Sequence, residues 1–247
     1  MPALSRGRYK ARIAENAADI RAAQELRGAA FLRTAPPGTL DRDTFDDICA
    51  HFLIEDVNSG QLVCCFRLLP LTGGAEIGRS YSAQFYELSA LSSFDGPMVE
   101  LGRFCIRPGL KDPDIMRVAW GAMTRFVDAR GIEMLFGCSS FQGADAQAHL
   151  DAFTMLAHRH IAPRRWLPRV KAPAVFRFSQ KLGRRSPDAK QGMLRMPPLL
   201  RSYLVMGGWV SDHAVVDRQL DTLHVFTGLE IAAIPPARKR LLRAVAG

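Results

Sequence analysis

The sequence predicts a mixed α/β (α+β) fold in which a strand–helix crossover unit stands beside an antiparallel meander. Three observations carry that reading. Residues 17–31 show a helical apolar period, with Ile20, Ala23, Leu26 and Ala30 on one face, and two alternating stretches, 51–56 and 61–69, follow around Asn58-Ser59-Gly60. An apolar run over 99–108 leads into a helix pattern that ends at Gly131, then into a second apolar run over 134–139 and another helix over 144–158. Strand patterning returns over 209–216 and 222–231.

Residues 9–15 alternate as a first strand. In the helix over 17–31, Arg27 and Phe31 lie four apart and share one side. Asp41-Arg42-Asp43-Thr44-Phe45-Asp46-Asp47 is an acidic cluster, in which Asp43 and Asp46 either cap a helix start or belong to a site. Arg67 stands near the end of the second hairpin strand. Residues 80–88 read as a short helix or turn carrying Tyr81, Phe85 and Tyr86, and Gly96-Pro97 breaks the chain before the central strand. Beyond that strand, Asp112 caps a helix with Pro113 at its first position, and Gly131 ends it. Residues 159–196 are rich in Arg, Lys and Pro and have little periodicity. They read as a basic insertion, either a solvated loop or a docking surface for an acidic partner. Pro197-Pro198 opens a short helix through Met206, and 235–245 form a basic helix that either packs or lies in a membrane interface.

Composition narrows the classes. The chain has 247 residues, 48% hydrophobic and 23% charged, which fits one globular domain carrying an elaboration. Apolar runs stay below the ~18–20 residues that span a bilayer, and the first residues lack the apolar core of a secretory signal. The expected place of work is the cytoplasm, with the inner face of the membrane as the alternative. Five cysteines, an odd number without CxxC spacing, point to neither a disulfide framework nor a zinc site. His158 and His160, two apart and without a completing thiolate or carboxylate, are not read as metal ligands. A net charge of +9 allows nucleic acid, anionic lipid or an acidic protein as partner. No zinc finger, RNP motif or helix-turn-helix pattern supports nucleic acid, so an acidic carrier protein or an anionic bilayer remains. Walker A, GxSxG, HExxH and Rossmann patterns are absent.

The chemistry concentrates in Val99-Glu100-Leu101-Gly102-Arg103-Phe104-Cys105-Ile106-Arg107-Pro108. A charge in an apolar strand is costly unless paired or used, and Glu100 is read as used. Glu100 and Arg103 are three apart, so they point to opposite faces unless a bulge intervenes.

The order Arg27, Phe31, Asp43, Asp46, Arg67, Phe85, Glu100 and Arg103 resembles the acyl-homoserine-lactone synthases. The fuller resemblance is to a sister family, the L-ornithine N-alpha-acyltransferases. It rests on Ser80-Tyr81-Ser82-Ala83-Gln84-Phe85-Tyr86, Leu101-Gly102-Arg103-Phe104-Cys105-Ile106, Leu135-Phe136-Gly137-Cys138-Ser139-Ser140-Phe141 and Pro197-Pro198-Leu199-Leu200-Arg201-Ser202-Tyr203. It spans residues 10 to 231, and the late proline-led helix weighs against a lactone synthase. A related branch acylates glutamine, and these motifs do not separate it from ornithine.

The resemblance implies a GNAT-like acyltransferase fold, a mixed, splayed central sheet with helices on both faces. It implies transfer of a 3-hydroxyacyl chain from acyl carrier protein to the α-amine of ornithine, giving lyso-ornithine lipid. No cofactor is expected beyond the phosphopantetheine thioester as co-substrate. The loop Arg107-Pro108-Gly109-Leu110-Lys111-Asp112-Pro113 has one glycine, and its two prolines lack N–H donors, so it suits a carrier phosphodiester better than a CoA pyrophosphate. Arg107 and Lys111 are the candidate carrier contacts. Glu100 is the expected general base, and burial would raise its affinity for a proton. Backbone N–H groups around Phe104, Cys105 and Ile106 are the expected oxyanion donors. Arg103 either holds the substrate carboxylate, fixes Glu100, or pairs with Asp43 or Asp46. Arg27 and Arg67 join that charge cluster, Phe31 and Phe85 line the cleft, and Asp43 and Asp46 are alternative readers of a cationic side chain. Neither Cys105 nor Cys138 is read as a nucleophile. The competing readings are a lactone synthase using S-adenosylmethionine and a non-catalytic carrier- or lipid-binding module.

Overall fold

A computed structural model describes residues 3–32 and 34–247. In chain order the regular elements are β1 (Leu4–Arg6), β2 (Tyr9–Ile13), α1 (Ala17–Phe31), β3 (Ala50–Asp56), β4 (Gln61–Leu71), β5 (Tyr86–Glu87), β6 (Met98–Ile106), α2 (Pro113–Arg130) and β7 (Met134–Gln142). There follow α3 (Leu150–Arg159), β8 (Arg169–Val170), β9 (Val175–Phe176), α4 (Phe178–Leu182), α5 (Ala189–Arg195), α6 (Pro198–Val205), β10 (Trp209–Val210), β11 (Ala214–Asp217), β12 (Thr222–Glu230) and α7 (Pro236–Ala246). The chain forms two compact units, each discontinuous in sequence.

The first unit comprises Met1–Pro70, Val99–Ile132 and Pro236–Gly247. Its strands follow the order β1, β2, β3, β4, β6, and the meander β1 to β4 is antiparallel. Side chains alternate across it as the pleat requires. Phe52 and Phe66 stack at 4.9 Å, Phe104 continues the row at 5.8 Å, and Phe126 of α2 meets Phe52 edge-on at 5.7 Å. The neighbouring residues Leu53, Cys65 and Cys105 point the other way, into Ala23 and Leu26 of α1. Helices cover both faces of this sheet. Strand β1 lies outside the expected elements, because three residues are too few to show a period.

Both helices carry their sequence signals. The Asn16 side chain accepts from Asp19 N–H and starts α1. Asp19, with Glu55, also receives the Arg12 guanidinium, and the hydrogen bond from Arg12 lowers its carboxyl to about 2. Asp112 caps α2 and accepts from the Tyr9 hydroxyl at 2.8 Å, and Gly131 closes α2 in the left-handed region at φ 59°. Helix α7 packs on α2, where Gly121 lies against Leu4 and Val245 and leaves no room for a side chain. Gly28 in α1 is needed for the same reason: a Cβ there would run into the Thr39 carbonyl oxygen. Gly28→Ala is expected to destabilise by about 1–3 kcal/mol despite the better helix propensity of alanine. A thermal midpoint that rises or holds would show that the 39–41 backbone moves aside at no cost.

The second unit comprises Leu71–Met98 and Glu133–Pro235. Strand β7 pairs antiparallel with β12 from Thr222↔Gln142 to Glu230↔Met134, and β11, β9 and β10 complete the sheet. One face holds Phe141, Leu223 and Val225 against Phe153 and Leu156 of α3 and Phe178 of α4. The other carries Phe226, stacked between Phe136 at 5.7 Å and Trp209 at 6.0 Å.

Two expectations change here and a third is refined. The 159–196 segment is more than an exposed insertion. It contains α4 and α5, with Phe178 buried at 5.1 Å from Phe153 and Gly192 against the backbone of α3. Helices of five and seven residues show no period of their own. The strand expected over 209–216 is two, because Ser211 turns inward, donating to the His213 carbonyl and accepting from Phe226 N–H. Residues 80–88 form a short 3₁₀ turn, Ser82–Gln84, followed by β5, which pairs with β8.

Candidate active site

The site residues of the first unit converge from α1, the 41–47 segment, β3, β4 and β6. Arg27 is fully buried on α1. Its Nε donates to Asp41 Oδ2 at 2.8 Å, its Nη1 to Asp46 Oδ1 at 2.7 Å, and its Nη2 to Asp46 Oδ2 at 3.0 Å and to the Asp41 carbonyl. Arg67, on β4, donates to Asp46 Oδ1 at 2.6 Å and grips both oxygens of Asp43. Arg103, on β6, donates from Nε to Asp41 Oδ2 at 2.9 Å and pairs through Nη2 with Asp43 Oδ2 at 3.1 Å. Three guanidiniums thus face three carboxylates. Bidentate arginine geometry suits such a network better than lysine would.

Acceptor directions are nearly exhausted. A carboxylate offers about four lone-pair sites. Asp46 fills its own with Arg27, Arg67 and the Gln24 amide at 2.9 Å. Asp43 caps the turn Thr44–Asp47 through Phe45 N–H and spends the rest on Arg67 and Arg103. Asp41 takes both of its arginines on Oδ2. Arg103 pairs with Asp41 and Asp43, and no ion pair joins it to Asp46 among the described residues.

Burial pushes the Asp46 carboxyl up, but hydrogen bonds from Arg27 and Arg67 outweigh it and hold the group well below the usual range. Asp43 behaves likewise, with Arg67 and Arg103 overcoming its burial. Burial lowers His51, whose Nε2 lies 2.9 Å from the Asp46 carbonyl oxygen. These carboxyls bind protons less readily folded than unfolded. Their stabilisation is complete above the unfolded aspartate value of about 3.9 and is lost as pH falls through the lower folded values. A thermal-midpoint titration is expected to show this loss below about pH 4. A fall centred near pH 6 would point to another group.

Glu100 is 4% exposed on β6. Burial raises the Cys49 thiol to about 11, and Glu100, Asp43 and Asp46 push it the same way, which sets Glu100 in the field of the network. Between Glu100 and Cys105 the two-residue alternation is interrupted, because Arg103 has a left-handed backbone at φ 51°. This conformation costs a non-glycine residue on the order of 1–2 kcal/mol. The ion pairs of its side chain hold it in place.

The remaining candidates divide. Phe31 packs beside the α1-side cluster, and Phe104 stacks on Phe66. Cys105 is buried with its sulfur 3.5 Å from that of Cys65, and both thiols are free. Its hydrogen bond with Cys65, and then its burial, push the Cys105 thiol well up, which leaves it a poor nucleophile. Ile106 is half-buried, Arg107 Nε donates to the Leu62 carbonyl at 2.8 Å, and Lys111 is exposed. Phe85 belongs to the second unit, 5.2 Å from Tyr81 and 5.1 Å from His224. Tyr86 beside it donates to the His224 carbonyl at 2.7 Å, and burial lowers His224 to about 4. Asp41 is the member of this charge network that sequence reasoning passed over. It sits in a loop of the acidic cluster, where no periodicity marks which carboxylate turns inward. Among the described residues, no group of three or more His, Cys, Asp or Glu is set to hold a metal ion, and no helix is long and apolar enough to cross a membrane.

Residues 25–121 match the acetyltransferase (GNAT) domain family. The L-ornithine N(alpha)-acyltransferase of Rhodobacter capsulatus is 33% identical over 92% of this chain and 91% of its own. The enzyme of the same name from Brucella abortus is 30% identical over 92% of this chain and 86% of its own. Among solved structures, FeeM, an N-acyl amino acid synthase from uncultured soil microbes, shares the fold at a TM-score of 0.51 and 10% identity, over 91% of this chain and 93% of its own.

Proposed function

The chain belongs to the L-ornithine N(alpha)-acyltransferase family, and we propose that it moves a 3-hydroxyacyl chain from acyl carrier protein to the α-amine of ornithine, yielding lyso-ornithine lipid. The observation that carries the reading is Glu100, a buried carboxylate on β6 three residues before Arg103, which acts on Cys49 together with Asp43 and Asp46 of the charge network. The α-amine nitrogen attacks the thioester carbonyl carbon, forming the C–N bond as the carbonyl pair moves onto oxygen. Glu100 takes the proton from nitrogen, directly or through one water. Backbone N–H groups of Phe104, Cys105 and Ile106 are the donors offered to the oxyanion. Collapse breaks the C–S bond, and the departing thiolate takes up the proton that Glu100 received, which restores the carboxylate. Arg103 positions Glu100 and the acceptor carboxylate. The thioester enters as co-substrate, and the reaction calls for no further cofactor.

Charge supports an acidic donor protein. Residues 159–196 carry eleven Lys and Arg against one acidic residue, Asp188, which exceeds the whole chain's net +9. Arg107 and Lys111 are the cations offered to the carrier phosphodiester. Helix α7 exposes Leu241 beside Arg238 and Arg240, which suits peripheral contact with the inner face of an anionic membrane as the single-chain product departs.

The test is incubation of the protein with 3-hydroxyacyl carrier protein and equimolar ornithine, glutamine and S-adenosylmethionine, read by mass spectrometry. Hydroxyacyl-ornithine is the expected product. Hydroxyacyl-glutamine would move the chain to the glutamine branch, a lactone would make it a lactone synthase, and retained carrier without product would favour a binding module.

A further inference from the structure

We infer that Asp41 reads the side-chain ammonium of the acceptor amino acid through the carboxylate oxygen that its arginines leave unused, Oδ1. This rests on the ornithine reading above and assigns the residue that enforces it.

The network's own accounting leads there. The two carboxylates that the sequence marked as readers, Asp43 and Asp46, have every acceptor direction filled from within the protein. A cation arriving at either would have to displace an arginine. Asp41 differs. Arg27 Nε and Arg103 Nε both approach Oδ2, at 2.8 and 2.9 Å, and among the described residues no side chain or backbone group bonds to Oδ1. Asp41 is held rigidly all the same, because Arg27 Nη2 also binds its backbone carbonyl and its N–H donates to the Gln24 carbonyl at 3.2 Å. The result is a buried, preorganised carboxylate with one acceptor edge unused among the described residues.

The placement suits the acceptor's chemistry. Asp41 is tied directly to Arg103, which stands three residues from Glu100 on the same strand. An α,ω-diamino acid carries an amine to be acylated and a second cation a few bonds away. Glu100 addresses the first and Asp41 Oδ1 the second. Glutamine, with a neutral amide, would leave that edge without a charged partner.

The test compares wild type with Asp41→Asn on two acceptors, ornithine and norvaline, its neutral analogue lacking the δ-amine, with one 3-hydroxyacyl carrier protein. Wild type is expected to prefer ornithine by about ten- to a hundredfold in kcat/KM, the range for a hydrogen bond to a charged group. In Asp41→Asn the amide turns its oxygen to the arginines and its NH₂ outward, so the preference is expected to collapse, mainly through KM. Glutamine is expected to gain relative to ornithine. Equal losses on ornithine and norvaline would make Asp41 purely structural and overturn the inference. So would a wild type that takes both acceptors equally, a result that needs no folded variant and leaves the amide-forming reading intact. A wild type that acylates no amino acid would instead remove the reading on which the inference rests.

Discussion

Glu100→Gln is expected to lower kcat by about 10²–10⁴-fold, the contribution of a positioned general base. Glutamine keeps the shape but turns one acceptor oxygen into an NH₂ donor and cannot take the amine proton. The loss should fall on kcat, with acceptor KM changed little, and the protein should still bind the acyl carrier. Single-turnover acyl transfer, read beside carrier binding, separates the two. Turnover within a few-fold of wild type would exclude Glu100 as the base. Loss of carrier binding in parallel would mean that the substitution acts through the fold.

The second large effect is on stability. Asp46→Asn removes the charge that Arg27 and Arg67 share, leaving two buried guanidiniums undercompensated. Breaking a buried ion pair from one side costs about 3–5 kcal/mol. At about 2–4 °C per kcal/mol for a chain of this size, the thermal midpoint should fall by roughly 6–20 °C. The comparison that matters is with Arg21→Ala, which breaks an exposed ion pair with Glu25 in the same helix. Surface pairs are worth about 0–1 kcal/mol, so that variant should barely move. If both variants shift equally, the network is not buried in solution as the structure places it.

Much of this fold was legible because its signals are local. Asp112, Pro113 and Gly131 mark the ends of α2 by their own chemistry, and α1 and α2 occupy the stretches their periodicity marked. Glu100 and Arg103 stood out because charge in an apolar strand demands a reason. What sequence hides is the partner. Nothing around Asp41 says that it, rather than Asp46, joins Arg27 to Arg103, since a loop has no face to be read. Nor does an arginine announce a left-handed backbone, a conformation held here by ion pairs to segments about sixty residues away in sequence. The short helices α4 and α5 escaped for a related reason. They are held by Phe178 and Gly192 meeting α3, which are tertiary contacts rather than local ones.

The first unit is closed by its most distant segments. Arg6 donates to the Ala244 carbonyl across 238 residues of sequence, and α2 sits between β1 and α7. Loop-closure entropy must be lost before such contacts reward it, and domains rich in them fold slowly. The β3–β4 hairpin can form within microseconds, whereas the side of α2 around Gly121 stays uncovered until α7 docks. The early chain is thus a sticky species with half a sheet. Recovery after denaturation should depend more on protein concentration than on time, and dilution should help more than patience.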